Sequence, residues 1–90
     1  MLLATTRVED VDRFWTFFST SAVEIRKKHG SKGAVLFRDP YESDRVWGIF
    51  DWDKQGFQSF ASDPDVPPLL AAAGVKEKLQ AAELVGSCDA

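Results

Sequence analysis

Two short segments of this 90-residue chain that suit β-strands are apolar at every position, and this feature constrains the fold more than any other. They are residues 34–37, Ala-Val-Leu-Phe, and residues 46–50, Val-Trp-Gly-Ile-Phe. As strands they would present apolar side chains on both faces of a sheet, because successive residues of a strand point to opposite sides. A sheet with one face in water would alternate apolar and polar residues instead. Both faces of the sheet are therefore predicted to be covered.

The segment before the first of these strands predicts a strand followed by a long helix. Residues 1–8 suit a first strand, and Asp10 is placed to cap the helix that follows. Apolar residues then recur at steps of three and four, which predicts a helix of about five turns with one buried stripe. The stripe consists of Val11, Phe14, Trp15, Phe18, Ala22 and Ile25. The helix is expected to end at Gly30, and the ring of Trp15 is expected to be buried.

The second half of the chain is predicted to contain two strands, an interrupted helical region and a last strand. Residues 34–38 and 45–52 are joined by a Pro-containing turn, which predicts an antiparallel hairpin. Asp53 is placed to cap a second helix, and the prolines of residues 63–68 should interrupt it before a short helix that ends at Gly74. Residues 76–85 suit a helix by composition, but are assigned to a last strand because the fold needs a fourth strand beside the first.

The resulting order is strand, helix, strand, strand, helix, strand, which is typical of ferredoxin-like folds. Residues 1–90 are therefore predicted to form a single α+β domain, a four-stranded antiparallel sheet with helices on one face. Helices on one face leave the other face uncovered, and the chain has no segment for a third layer. A homodimer through the sheet face, with a second copy related by a two-fold axis, is the predicted solution.

Several classes of function are disfavoured by composition. Cys88 is the only cysteine, so no internal disulfide can form, and no cluster of Cys and His has metal-ligand spacing. No glycine-rich phosphate loop occurs, so neither a metal nor another cofactor is expected. The net charge is −3, and the basic residues 26–29 point all round a helical turn, which disfavours nucleic acid. No apolar run suits a membrane span, and a cytoplasmic location is expected.

The sequence resembles the dimeric α/β-barrel superfamily, in particular small proteins related to antibiotic-biosynthesis monooxygenases. The matching motifs are Asp12-Arg13-Phe14-Trp15, His29-Gly30, Phe37-Arg38-Asp39-Pro40, Val46 to Asp53, Asp63 to Pro67, and Ala73-Gly74-Val75. The resemblance implies a ferredoxin-like domain that dimerises. Members of this superfamily include cofactor-independent oxygenases of polyketide quinones, haem-degrading enzymes, lactone isomerases and many proteins of unknown activity, so the resemblance implies no single reaction. The haem-degrading and quinone-oxidising branches use an asparagine with a tryptophan, and this sequence contains no asparagine.

Five residues are candidates for a site. His29 is a candidate general base because only an imidazole titrates near neutrality unaided; alternatively it bonds a carbonyl at the end of its helix. Trp15, Phe18 and Phe60 could line a pocket for a flat apolar ligand, with Trp15 the best candidate, or could simply fill the core. Arg38 could bind a carboxylate or phenolate at the pocket mouth. Its alternatives are an ion pair with Asp39 or Asp44, or solvent.

Two functions follow from these candidates. The protein could bind a small apolar or aromatic ligand and act on it without a cofactor, as a monooxygenase or isomerase does. Alternatively it could be a non-catalytic dimeric domain for binding or assembly. An apolar cavity beside the sheet, with a polar side chain reaching into it, would favour the first function, whereas a solidly packed core would favour the second.

Overall fold

The computed structural model describes residues 1–90 as one four-stranded sheet with four helices. In chain order these are β1 (Leu2–Arg7), α1 (Val11–Phe18), α2 (Val23–Lys28), β2 (Ala34–Arg38), β3 (Arg45–Phe50), α3 (Lys54–Ala61), α4 (Val66–Ala72) and β4 (Gln80–Glu83). The strand order is β2-β3-β1-β4, and every neighbouring pair is antiparallel. The predicted α+β, ferredoxin-like fold is confirmed.

The two central strands set which side chains share a face. Phe50 of β3 lies opposite Leu2 of β1 and Ala34 of β2, so these three residues point to the same side of the sheet. The last strand pairs with β1, as predicted from topology against helix propensity. It is shorter than the predicted residues 76–85, and β3 ends at Phe50 rather than residue 52.

The predicted five-turn helix is wrong, because the structure divides it into α1 and α2. The break falls at residues 19–22, Ser-Thr-Ser-Ala. The hydroxyl of Ser19 donates to the carbonyl oxygen of Trp15 at 2.8 Å, and that of Thr20 donates to the carbonyl oxygen of Thr16. Such bonds compete with backbone bonding and interrupt helices. The apolar stripe nevertheless continues across the break, since Phe18 and Ile25 both pack on the core.

The second helical region begins, breaks and ends at the residues that were predicted to cap or interrupt it. The Asp53 carboxylate accepts the backbone N–H of Gly56, which caps α3. Prolines occupy the first turn of α4, where a missing N–H costs no helical bond. Gly74 follows α4 with a φ of +80°, a conformation that glycine adopts without strain.

One face of the sheet packs against the four helices, and we call it the covered face. It presents the even-numbered residues of β1, β2 and β3. The buried residues form two adjoining clusters. They are Leu2, Ala4, Phe50, Trp52, Phe60 and Val66 in one, and Val8, Phe14, Val46 and Ala73 in the other.

The opposite face carries no helix, and we call it the open face. One end is apolar: Leu3, Val35 and Ile49 are all exposed there. The other end is charged, and Arg7 pairs there with Glu42 and Asp44 at 2.7 Å each. No helix of the structure has the length and apolar character needed to cross a membrane.

Candidate functional site

A cavity of about 80 Å³ lies between the covered face and the helices. The strands contribute Ala4, Val46 and Phe50, and all four helices contribute to the remaining wall. Of the 19 residues that line it, only Thr5, Thr6 and Arg26 are not hydrophobic. The hydroxyls of the two threonines are both donated to backbone carbonyls, those of Val46 and Glu77. The cavity is therefore suited to an apolar ligand.

Seven of the 19 lining residues are aromatic, and several of their rings contact one another. Phe18 meets Phe50 edge-on at 5.9 Å between ring centroids, and Trp52 meets Phe57 and Phe60 edge-on at 5.6 Å and 5.2 Å. The indole N–H of Trp52 donates to the carbonyl oxygen of His29 at 2.8 Å. Edge-to-face contacts and this hydrogen bond fix the ring orientations, so the wall is preformed.

Two of the five predicted site residues, Phe18 and Phe60, line the cavity. Trp15 does not line it, and the expectation that its ring is buried is wrong, since it is 48% exposed. Its ring packs against Phe18 at 6.0 Å. The reason is geometric: Phe14 and Phe18 occupy the inner face of α1, and Trp15 lies about 100° round the helix from Phe14.

Arg38 also lies away from the cavity wall. The Arg38 guanidinium is exposed and pairs with Asp12 of α1 at 3.2 Å, so the alternative pairing with Asp39 or Asp44 is not the one formed. Asp39 instead accepts the indole N–H of Trp47 at 2.8 Å, and this bond lowers the pKa of the Asp39 carboxyl.

His29 lies outside the cavity wall and is held by a carboxylate that the sequence did not reveal. Its Nε2 lies 2.8 Å from Oδ2 of Asp63, and the two side chains are only 13% and 7% exposed. The backbone N–H of Asp65 and the His29 ring lower the pKa of the Asp63 carboxyl to about 2. This pair joins the end of α2 to the connection between α3 and α4. The structural interpretation of His29 is favoured, with a carboxylate as its partner rather than a carbonyl.

Comparison with known proteins yields structural relatives only. No protein-family model matches the chain, and no curated protein matches it. Among solved structures, SnoaB, a cofactor-independent oxygenase from Streptomyces nogalater, superposes with a TM-score of 0.68 at 16% sequence identity. The superposition covers 96% of this chain and 92% of that chain. The chain has the fold of antibiotic biosynthesis monooxygenases.

Further solved structures share this monooxygenase-like fold. A putative antibiotic biosynthesis monooxygenase from Deinococcus radiodurans has a TM-score of 0.65 at 14% identity, covering 100% of this chain and 98% of that chain. One from Chloroflexus aurantiacus has a TM-score of 0.58 at 19% identity, with 98% and 94% covered. The predicted resemblance is confirmed as a shared fold. At these identities it does not carry an activity, because one fold hosts many functions.

Sequence reasoning missed two residues that the structure places near the covered face: Arg26 in the cavity wall, and Asp63 beside His29 outside it. Arg26 is four residues after Ala22 and eight after Phe18, both on the apolar stripe, so its spacing already placed it on the inner face of the helix. Because Arg26 is charged, it was interpreted together with the basic residues 27–29 and not as part of the apolar stripe. Asp63 gave no comparable signal, because an aspartate before a proline is ordinary turn chemistry.

Proposed function

We propose that this protein binds a small, largely apolar ligand in the cavity of the covered face and acts on it without a cofactor. The observation that carries the proposal is the cavity itself. It is lined almost entirely by apolar side chains, and the rings of Phe50, Trp52 and Phe57 offer faces and edges to a flat ligand. The fold shared with a cofactor-independent oxygenase supports the second half of the proposal.

The size of the cavity limits the ligand. An engineered protein cavity of roughly 150 Å³ binds benzene, and this cavity of about 80 Å³ is smaller. A single ring therefore fits only with small movements of the side chains in the wall. Fused-ring ligands would need larger movements of the wall.

The proposal includes a homodimer formed through the open face. Val35 and Phe37 are 53% and 52% exposed there, beside the exposed Leu3 and Ile49. Contiguous apolar side chains on a sheet surface favour a protein partner over water. A two-fold axis would bring the same patch of each copy together and would leave both cavities on the outer, helix-covered sides.

A thermal-shift screen of single-ring aromatic and small aliphatic compounds tests the ligand proposal. A compound that binds only the native state raises the melting temperature, and the rise grows with the logarithm of one plus the ratio of free ligand concentration to Kd. The Ala22→Leu variant adds a side chain at the cavity wall and should abolish the shift. Ala71→Leu, on the exposed side of α4, is the matched control and should preserve it. Shifts of equal size in both variants would contradict binding in the cavity.

A non-catalytic binding role is the second candidate. The observation that favours it is that no carboxylate, imidazole or thiol lines the cavity. Incubating the purified protein in air with the compounds found by the screen, followed by mass spectrometry, distinguishes the two. An oxygenated or isomerised product supports action on the ligand, and unchanged compound supports binding alone.

A further inference from the structure

Arg26 differs from every other arginine of the chain. Arg7, Arg13, Arg38 and Arg45 each have a carboxylate within 4.0 Å, whereas Arg26 has none and makes no side-chain hydrogen bond. The chain has 14 acidic residues, so carboxylates are not scarce. An arginine that stays unpaired in such a chain has free donors to offer to something else.

The guanidinium of Arg26 lies against an aromatic ring of the cavity wall, and its unpaired donors remain open to solvent. Its central carbon lies 3.9 Å from the centroid of the Phe18 ring, and the residue is one of those that line the cavity. A guanidinium stacked on an aromatic face is attracted by the electrons of the ring and keeps its donors in the plane available. Desolvation by the surrounding side chains lowers the pKa of Arg26.

The neighbouring basic residues show that this orientation is particular to Arg26. Lys27 points outwards and approaches Glu24 at 3.8 Å, while Lys28 and His29 both reach Asp63. Arg26 is the only charged residue in the cavity wall. The site is thus an apolar cavity with a single cationic group at its edge.

We infer that the ligand of this cavity is a small carboxylate whose apolar body enters the cavity and whose anionic group pairs with Arg26. This inference rests on the proposed function, because it names the class of ligand for the same cavity. A carboxylate matches the forked donors of one guanidinium and carries a single charge to match one cation. The cavity volume of about 80 Å³ favours a body of one ring or a short branched chain.

Benzoate and benzamide are the probes that test this inference, because they share one ring and differ in charge. Binding to the 15N-labelled protein is followed by NMR titration at neutral pH. The wild-type protein is expected to bind benzoate about tenfold more tightly than benzamide. Added salt should weaken benzoate binding and leave benzamide binding unchanged, since only the former depends on charge.

Three variants test whether Arg26 causes the preference for benzoate over benzamide. Arg26→Met keeps an unbranched chain against Phe18 without the charge, and should bind both probes equally. Arg26→Lys keeps the charge without the fork and should retain part of the preference. Lys27→Met removes the same charge from the adjacent exposed position and should behave as the wild type.

The outcomes separate this inference from the proposed function. If benzamide binds the wild type as tightly as benzoate, the carboxylate inference is overturned and the apolar cavity stands as a binding site. A preference for benzoate that persists in Arg26→Met overturns the role of Arg26. If neither probe binds the wild type, the carboxylate inference is overturned, and the thermal-shift screen with Ala22→Leu decides the proposed function separately.

Discussion

The two faces of the sheet carry similar apolar residues but differ in what lies against them. On the covered face, Val46, Gly48 and Phe50 of β3 pack under helices, and a cavity is left among them. Trp47 and Ile49 of the same strand lie on the open face, which carries no helix. The comparison teaches that an apolar strand residue identifies a covered surface without saying what covers it. Helices cover one face, and we propose that a second copy covers the other.

The largest expected effect compares two tryptophans. Trp52 is buried at the covered face and contacts the rings of Phe50, Phe57 and Phe60, so Trp52→Ala should cost about 3–5 kcal/mol of unfolding free energy. Trp15 is half exposed on the outer side of α1, so Trp15→Ala should cost about 1 kcal/mol or less. Urea denaturation of both variants measures the difference, and equal costs would contradict the assigned burial.

The open face is tested by placing a charge in its apolar part. Ile49→Lys should break the dimer, because a buried unpaired ammonium is strongly unfavourable at an interface. Sedimentation equilibrium at micromolar concentration should then give 10.0 kDa, against twice that mass for the wild type. Gln55→Lys adds the same charge on the exposed side of α3 and is the control. A wild-type protein that sediments at 10.0 kDa would contradict the dimer.

Gly56→Ala tests the close packing beneath the covered face. A Cβ at this position would lie 2.5 Å from the carbonyl oxygen of His29 and 2.6 Å from Nε1 of Trp52. The variant should therefore lose about 1–3 kcal/mol of stability, although alanine usually stabilises a helix interior relative to glycine.

Ser59→Ala, on the exposed side of the same helix, is the control for Gly56→Ala. Chemical denaturation should show it to be neutral or slightly stabilising, because it adds no contact. Stabilisation by Gly56→Ala of a similar size would mean that α3 does not approach α2 as closely as described.

The smallest expected effect concerns acid stability. The folded pKa of Asp63 is about 2, below the ordinary aspartate value of about 3.9, so the contribution of this carboxylate is complete above the ordinary value and is lost as pH falls towards 2. Asp63→Asn should flatten the fall in unfolding free energy between these pH values. Asp89→Asn, in the exposed C-terminal segment, should keep the wild-type curve.

The open face contributes to acid sensitivity independently of Asp63. Hydrogen bonds from Arg7 and Arg45 lower the pKa of Glu42, and Lys76 and Arg7 lower that of Asp44. Asp63→Asn should therefore leave part of the acid dependence in place. A variant curve with the full wild-type slope would show that Asp63 is not bound to His29 in solution.

Patterns that repeat along the chain were predictable, and individual contacts across it were not. Strand β2 and the Asp10 and Asp53 caps follow from residue types at fixed spacings, and the structure confirms them. The break in the first helix was missed because the Ser-Thr segment competes through hydroxyl bonds that a periodicity count does not include.

The candidate site was harder to predict because its partners come from distant segments. Asp63 meets His29 across 34 residues of sequence, and nothing local encodes that contact. Arg26 was predictable from spacing alone, since it continues the stripe of Phe18 and Ala22. Its position on the stripe is therefore the signal that could have placed it at the cavity.

The central claim is that the covered face binds the ligand while the open face remains free for a partner copy. An NMR titration of the 15N-labelled protein with benzoate tests it most directly, because each backbone amide reports its own surroundings. We expect the largest chemical-shift changes at Phe18, Arg26 and Phe57, and none at Val35 or Ile49. Changes concentrated at Val35 and Ile49, with Phe18 and Phe57 unaffected, would contradict the account.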